Sequence, residues 1–315
     1  MIIMGKKPKV GGQAVIEGVM MRGPKKYAVA IKKYNGNVVL DKGEVHSIKD
    51  KVKILNLFIL RGIVAFFESL VLGMKTLIFS ADYFDMEEKS VEDKFVVSKE
   101  EEISVEKRAK LDRQQGWVVF ISLSLAIIFS IALFFILPTF VASLFFNNVD
   151  VNDRIWFNVI EGGMRIALFF IYLLLISLMK DVQRVFEYHG AEHKTINCFE
   201  AGEELTVENV KKYSRYHPRC GTSFIFIVMI ISIVVFAFFK SDNLIFAILE
   251  RIVLLPLVAG ISYEIISFFG MLKGKLGRAL AMPGMWFQCF TTREPDDLQI
   301  FIAITALKGA LDEDN

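Results

Sequence analysis

The sequence predicts a mainly α, polytopic membrane protein, with about four transmembrane helices, an additional membrane-embedded or interfacial helix and a small N-terminal cytoplasmic β unit. Three observations carry that expectation. Hydrophobic residues fill 54% of the 315 positions, 29 residues are phenylalanine and the mean hydropathy is +0.45, too apolar for a soluble domain of this length. Residues 117–146 hold no charge and exceed the roughly 20 residues that a helix needs to cross a bilayer core. Residues 27–46 alternate apolar and polar side chains around Asn35-Gly36, a hairpin signature.

Residues 1–53 are expected to form the cytoplasmic β-rich region. The opening "MIIMGKKPKV" lacks the apolar core and small-residue cleavage site of a secretory signal, so no export is expected. In "GGQAVIEGVMMRGP" the glycines at 11, 12, 18 and 23 fit neither standard phosphate loop. They serve tight strands and turns, or else a close-packed loop that presents Glu17 or Arg22 to a site. Residues 54–80 are apolar except for Arg61, Glu68 and Lys75, which recur about every two turns; this pattern fits an interfacial or re-entrant helix better than a lone lipid-facing span. Residues 81–116 turn from acidic to basic and read as a charged cytoplasmic linker, partly helical, without chemistry of its own.

The first transmembrane pair occupies 117–179, as spans 117–146 and 155–179, the second carrying the break "EGGMR" whose charges are expected near an interface. Residues 180–221 form a cytoplasmic loop rich in His and Cys motifs. The second pair occupies 222–270, as spans 222–239 and 244–270, and the latter contains Glu250, Arg251 and Glu264, buried charges that need protein or water as partners. Residues 271–315 make the cytoplasmic C-terminal region, closed by an amphipathic helix over 298–311 that Asp296 or Asp297 caps. Residues 1–53 hold twelve Lys or Arg against four acids, whereas the short connections 147–154 and 240–243 are poor in basic residues. Both termini and the 180–221 loop are therefore expected on the cytoplasmic side of the cell (inner) membrane. Three cysteines form no paired framework, so reduced thiols are expected.

Within that loop "EYHGAEHKTINCFE" sets His189 and His193 one helical turn apart. On a helix over 182–196, Val182, Phe186, His189, His193 and Ile196 share one face, so both imidazoles can hold one ligand. The order H-x-x-E-H is that of the inverzincin motif, in which two histidines hold zinc and the Glu, here Glu192, serves as general base. Further ligands are needed to reach four, water included. The candidates are Cys198, the pair His217 and Cys220 in "HPRCGTSF", and the more distant Glu264. Zinc or another divalent transition metal suits such a set. Two His and two Cys would close a structural site, whereas three protein ligands and water would leave a hydrolytic one. Rings splayed apart, or each bonded to ordinary main-chain oxygens, would overturn the shared ion.

The stretches quoted above, with "PGMWFQCFTTREPDD" and the closing "IAITAL", resemble the bacterial YqhQ-like family of multi-spanning membrane proteins of unknown function, catalogued as predicted metal-dependent enzymes. The likeness covers nearly the whole chain, and its long motifs make it specific. Carried over residue by residue, it implies motif positions at Glu17, His189, Glu192, His193, His217, Cys220, Glu264 and 293–297, without departure at any of them.

Two function classes follow, and a third stands behind them. The first is a cytoplasm-facing metal-dependent hydrolase, with a peptide, lipid-linked or amphiphilic substrate because the site lies at a span entrance. The second is a non-enzymatic membrane scaffold or assembly factor, in which the same residues make a structural metal or polar cluster and Arg61, Glu68 and Lys75 meet partners or anionic headgroups. A transporter using Glu250, Arg251 and Glu264 is weaker, since four spans enclose a small pore and no inverted repeat is visible. Membrane lipids, membrane-protein partners or further copies of the chain are the expected partners, and nucleic acid is not.

Overall fold

The computed structural model describes residues 8–33, 36–95, 117, 121–145, 151–239, 244–271 and 275–311. It is mainly helical, with a small N-terminal antiparallel sheet and four helices long and apolar enough to cross a membrane. The chain divides into two compact units, one of Met1–Lys89, Leu173–Ile231 and Leu255–Asn315, the other of Ser90–Tyr172 and Ser232–Leu254.

The first unit is built on a four-stranded meander: β1 (Gly11–Val15), β2 (Gly18–Arg22), β3 (Lys26–Lys32) and β4 (Val38–Glu44), in that order. The expected hairpin is β3–β4, with Lys32 opposite Val38, although Asn35 itself lies outside the described residues. At the β1–β2 turn Glu17 adopts a positive φ of 51°. The next residue must be glycine, because a Cβ on Gly18 would lie 2.2 Å from the Ala30 carbonyl oxygen.

Strand periodicity sorts the side chains to two faces, and both are covered. Val19, Met21, Ala28 and Ala30 join a core with α5 (Lys180–Ala201) and α10 (Asp297–Leu311). Val15, Met20, Tyr27, Val29 and Ile31 face the other way, against Leu72 and Phe79 of α2 (Leu60–Phe95). Each such buried apolar side chain contributes about 1.5–3 kcal/mol. Between sheet and α2 run α1 (Ile48–Lys51) and a 3₁₀ turn, Lys53–Asn56. α5 ends where Gly202 takes φ 90° and caps the last carbonyls. Asp296 begins α10 as a reciprocal cap: its Oδ1 accepts from Gln299 N at 2.7 Å, and Gln299 Oε1 accepts from Asp296 N at 2.8 Å.

α2 runs unbroken through the stretch expected to be interfacial or re-entrant. Its polar line is taken up internally. Arg61 binds Glu264, Glu68 accepts from Ser47 Oγ at 2.8 Å and Ile48 N at 2.9 Å, and Lys75 Nζ lies 3.3 Å from Tyr27 Oη. Headgroups or partners therefore meet these three groups already engaged.

The second unit contains α3 (Ile121–Phe145), with a π turn at Ala132–Ile136, most of α4 (Val151–Ile176), and the start of α8 (Leu244–Met271). The "EGGMR" stretch does not break α4. Glu161 and Arg165, one turn apart, are bonded at 2.8 Å inside the helix, and Arg251 reaches the other carboxylate oxygen at 2.5 Å. Thr139 donates to Glu161 Oε1 at 2.8 Å. Mutual compensation accommodates these charges within the unit.

The membrane-length helices are Leu60–Ala81, Ile121–Phe145, Trp156–Ile176 and Ile248–Phe269. The segment expected at 222–239 is α7 (Gly221–Phe236), which is apolar but shorter. A short helix α6 (Val207–Lys211) and α9 (Lys275–Thr291) complete the described elements. The first seven residues and the linker from 96 to 116 lie outside them.

Candidate metal centre

α5 presents the two histidines as the periodicity requires. The ring centroids of His189 and His193 are 4.4 Å apart, and the pair meets Cys220, which directly precedes α7. Ligand atoms of His189, His193 and Cys220 all lie within 4.8 Å of one another. His189 Nε2 is 3.2 Å from the Cys220 sulfur.

Each ring bonds a main-chain oxygen, the outcome set above as overturning a shared ion; that criterion was too broad, because each bond uses one nitrogen and the other stays available to a ligand. His189 Nδ1 is 2.8 Å from the Thr291 carbonyl and His193 Nδ1 is 2.6 Å from the Arg215 carbonyl. A carbonyl only accepts, so each Nδ1 carries a proton, and in the neutral ring Nε2 keeps its lone pair. This is the outer arrangement that metal-ligating histidines use, with the second nitrogen fixed by a carbonyl or carboxylate. His193 Nε2 is buried and makes no hydrogen bond. That orphaned acceptor, in a cluster of soft and borderline donors, fits a divalent transition ion.

Local structure holds these positions. Gly190 lets the chain at Arg293 pass close to α5, for a Cβ there would lie 2.0 Å from the Arg293 carbonyl oxygen. Arg293 N donates to the Phe186 carbonyl at 2.9 Å, which sets Thr291 beside His189. On the other flank, Asn197 donates to the carbonyls of Ser214 at 2.8 Å and Tyr216 at 3.1 Å, and buried Lys194 reaches the Lys211 carbonyl at 3.1 Å. These bonds tie the segment bearing the Arg215 carbonyl and Cys220 to the histidine helix.

Electrostatics suit ligation. Burial, then neighbouring His189, lower the His193 pKa. Burial raises the Cys220 thiol, and an imidazolium at His193 with the hydrogen bonds of Thr222 outweighs it, so the thiol lies below its ordinary value when His193 carries its second proton. Glu192 is buried, and that burial, with Cys220 adding to it against His189 and the Gly12 N–H, pushes its pKa up to about 8. Gly12 is a site residue that the sequence did not disclose as such. A Cβ there would sit 2.9 Å from the Glu192 carboxyl carbon and 2.7 Å from the Met20 carbonyl oxygen.

Not every expected ligand joins the cluster. Glu264 is held elsewhere: its oxygens bind Arg61 at 2.7 and 2.5 Å, so a sequence separation of about seventy residues was no guide to its place. His217 stands close, its ring centroid 5.8 Å from that of His193, but its Nδ1 accepts from Arg219 N at 3.3 Å. Its buried Nε2 makes no hydrogen bond and lies 3.6 Å from Glu200, and burial lowers its pKa to about 4. Gln288 grips its backbone on both sides, at 2.8 and 2.7 Å. Cys198 is buried toward the Glu204 carbonyl, 3.7 Å away, outside the cluster. Of the glycine-loop candidates, Glu17 pairs with Arg184 and accepts from Tyr188 at 3.3 Å, pinning the β1–β2 turn to α5. Arg22 points to Ser69, 3.5 Å away.

The cluster opens into a cavity of about 730 Å³ that Glu192 and His217 also line. Three side chains that could hold an ion thus lie beside a carboxyl of raised pKa and an adjoining cavity.

Residues 57–313 match a family described as protein of unknown function (DUF1385). The chain is 34% identical over 310 residues to the uncharacterized protein YqhQ of Bacillus subtilis (strain 168), an alignment covering 96% of this chain and 92% of that relative. No solved structure matches the chain.

Proposed function

Starting from the DUF1385 family, to which this chain belongs, we propose a membrane-embedded, metal-dependent hydrolase whose site faces the cytoplasm. One observation carries the reading: two imidazoles, each fixed through Nδ1 by a main-chain carbonyl, converge with the Cys220 thiol, their ligand atoms all within 4.8 Å of one another. Zinc held by His189, His193 and Cys220 would supply a Lewis acid for a carbonyl or phosphoryl oxygen. The residues do the rest. Arg215 and Thr291 orient the rings, Gly12 steadies the Glu192 carboxyl with its N–H, and Glu192 moves the proton between water and leaving group.

Packing within the first unit supports the membrane arrangement. The sheet, α5 and α10 share one core and so belong on one side of a bilayer. The chain must then cross an even number of times between β4 and α5, and again between α5 and α10. With α3 and α4 crossing, α2 does not cross but lies along the membrane on the sheet's side, in keeping with its contacts to the β1–β2 turn and to β3 through Ser80 and Lys75. By the same parity α7 crosses together with α8. Both termini then lie on the basic, cytoplasmic side of the cell membrane.

Metal analysis of the purified protein tests the reading. The wild type is expected to hold about one zinc per chain. His189→Ala loses it, whereas Glu192→Gln retains it and loses turnover. A wild type without any transition metal removes the hydrolase.

A second reading is a scaffold or assembly factor with a closed structural site. His217 favours it, because its buried ring lies beside His193 with an unbonded Nε2, and a tautomer change would offer a fourth ligand. Retention of zinc by His217→Ala, with a stoichiometric crosslinked partner absent, speaks against it.

A further inference from the structure

The cavity around the cluster is much larger than an ion and a water require, and its wall is chiefly apolar. Along α2, Phe66, Leu70, Met74 and Leu77 line it at helical spacing, a strip about 16 Å long at 1.5 Å per residue. Ile225 of α7 faces the same space.

Where the cavity opens, its chemistry is divided. Leu70, Leu77 and Ile225 line it and yet are 52%, 37% and 40% exposed, so part of the mouth runs beside two apolar helices, one of membrane-crossing length. The remaining exposed lining is polar, with Ser69, Arg219 and the main chain of Gly11 and Gly12. A polar metabolite would leave the leucine strip uncovered, whereas an amphiphile matches both halves.

We propose that this cavity receives the acyl chain of a membrane lipid, which enters beside α2 and brings its chain–headgroup ester to His189, Glu192 and Cys220. The hydrolytic part of this assignment rests on the reading above, and the binding part does not. In the reaction the oxygen of water bonds to the acyl carbon and the acyl C–O bond breaks. One water proton passes by way of Glu192 to the departing alkoxide, giving a fatty acid and an alcohol-bearing headgroup.

The test uses the full chain in nanodiscs of phosphatidylcholine and phosphatidylglycerol, with a trace of phosphatidylglycerol carrying a diazirine in one acyl chain. After irradiation, adducts are mapped by mass spectrometry. They are expected on cavity residue Phe224 as well as on outward Val71, which is 67% exposed. Met74→Trp fills the cavity and lowers the Phe224 adduct about tenfold relative to Val71. Leu70→Trp, at the exposed mouth where folding is not at risk, does the same. Adducts confined to outward positions, or a Phe224 adduct that neither tryptophan reduces, overturn the proposal. Zinc measured on the same samples separates the two ideas. Cavity adducts without zinc retain the lipid site and remove the hydrolase, and zinc without cavity adducts does the reverse.

Discussion

Two buried polar clusters, one in each unit, answer the same physical problem in opposite ways. In the second unit Glu161, 2% exposed, has both carboxylate oxygens occupied by Arg165, Arg251 and Thr139, and Arg165 also donates to the Phe134 carbonyl at 2.8 Å. The carboxylate's hydrogen bonds are met from within. In the first unit His193 and His217 each keep a buried nitrogen without a hydrogen bond, and Glu192 is driven toward its neutral form. Buried groups that satisfy one another serve architecture. Buried groups left incomplete, beside a cavity, are the ones to question for chemistry.

Breaking the matched cluster gives the largest expected effect. Glu161→Ala leaves two arginines buried without a counter-charge and should cost about 3–5 kcal/mol, read as a fall in Tm or a loss of folded protein in detergent. Zinc content per folded chain stays unchanged, which is where the two clusters part. Next is Gly12→Ala. The added methyl meets the Glu192 side chain and the Met20 carbonyl, a clash expected to cost about 1–3 kcal/mol by thermal or denaturant unfolding.

A subtler comparison uses pH on metal-free protein. The Glu192 pKa is raised to about 8 when folded, so between its ordinary value and that point the native state binds more protons than the unfolded chain. Wild-type stability therefore falls as pH rises through this window, and Glu192→Gln removes the contribution. The Tm advantage of the variant should grow from pH 5 to pH 8 and then level off, about ranges set by these pKa values. A constant difference across that range would mean that Glu192 is not desolvated. The smallest expected effect is that of Glu264→Gln, which weakens the Arg61 pair but leaves zinc stoichiometry as in the wild type. Loss of zinc there would restore Glu264 as a ligand.

The histidine pair was legible because helical spacing alone puts His189 and His193 on one face, and Cys220 because it follows in the same loop. Asp296 was legible as a cap from local pattern. Glu264 was not, since no local rule says that its partner is Arg61, 203 positions away. His217 was read as a candidate further ligand; what sets it apart from His193 is which main-chain group meets Nδ1, an N–H rather than a carbonyl. Gly12 hid for a different reason, because its contribution is a missing methyl beside a carboxyl in a distant helix. In α4 the Glu161–Arg165 spacing was visible, but only the fold supplies Arg251 to complete it.

The anchors of the two imidazoles are peptide carbonyls of Thr291 and Arg215, which every amino acid carries. Exchanging either side chain leaves the anchor in place, so a saturation screen would score both positions as tolerant while they govern how the rings are aimed. Only changes that shift the backbone, such as proline at the following residue or a one-residue deletion in either loop, would expose that dependence.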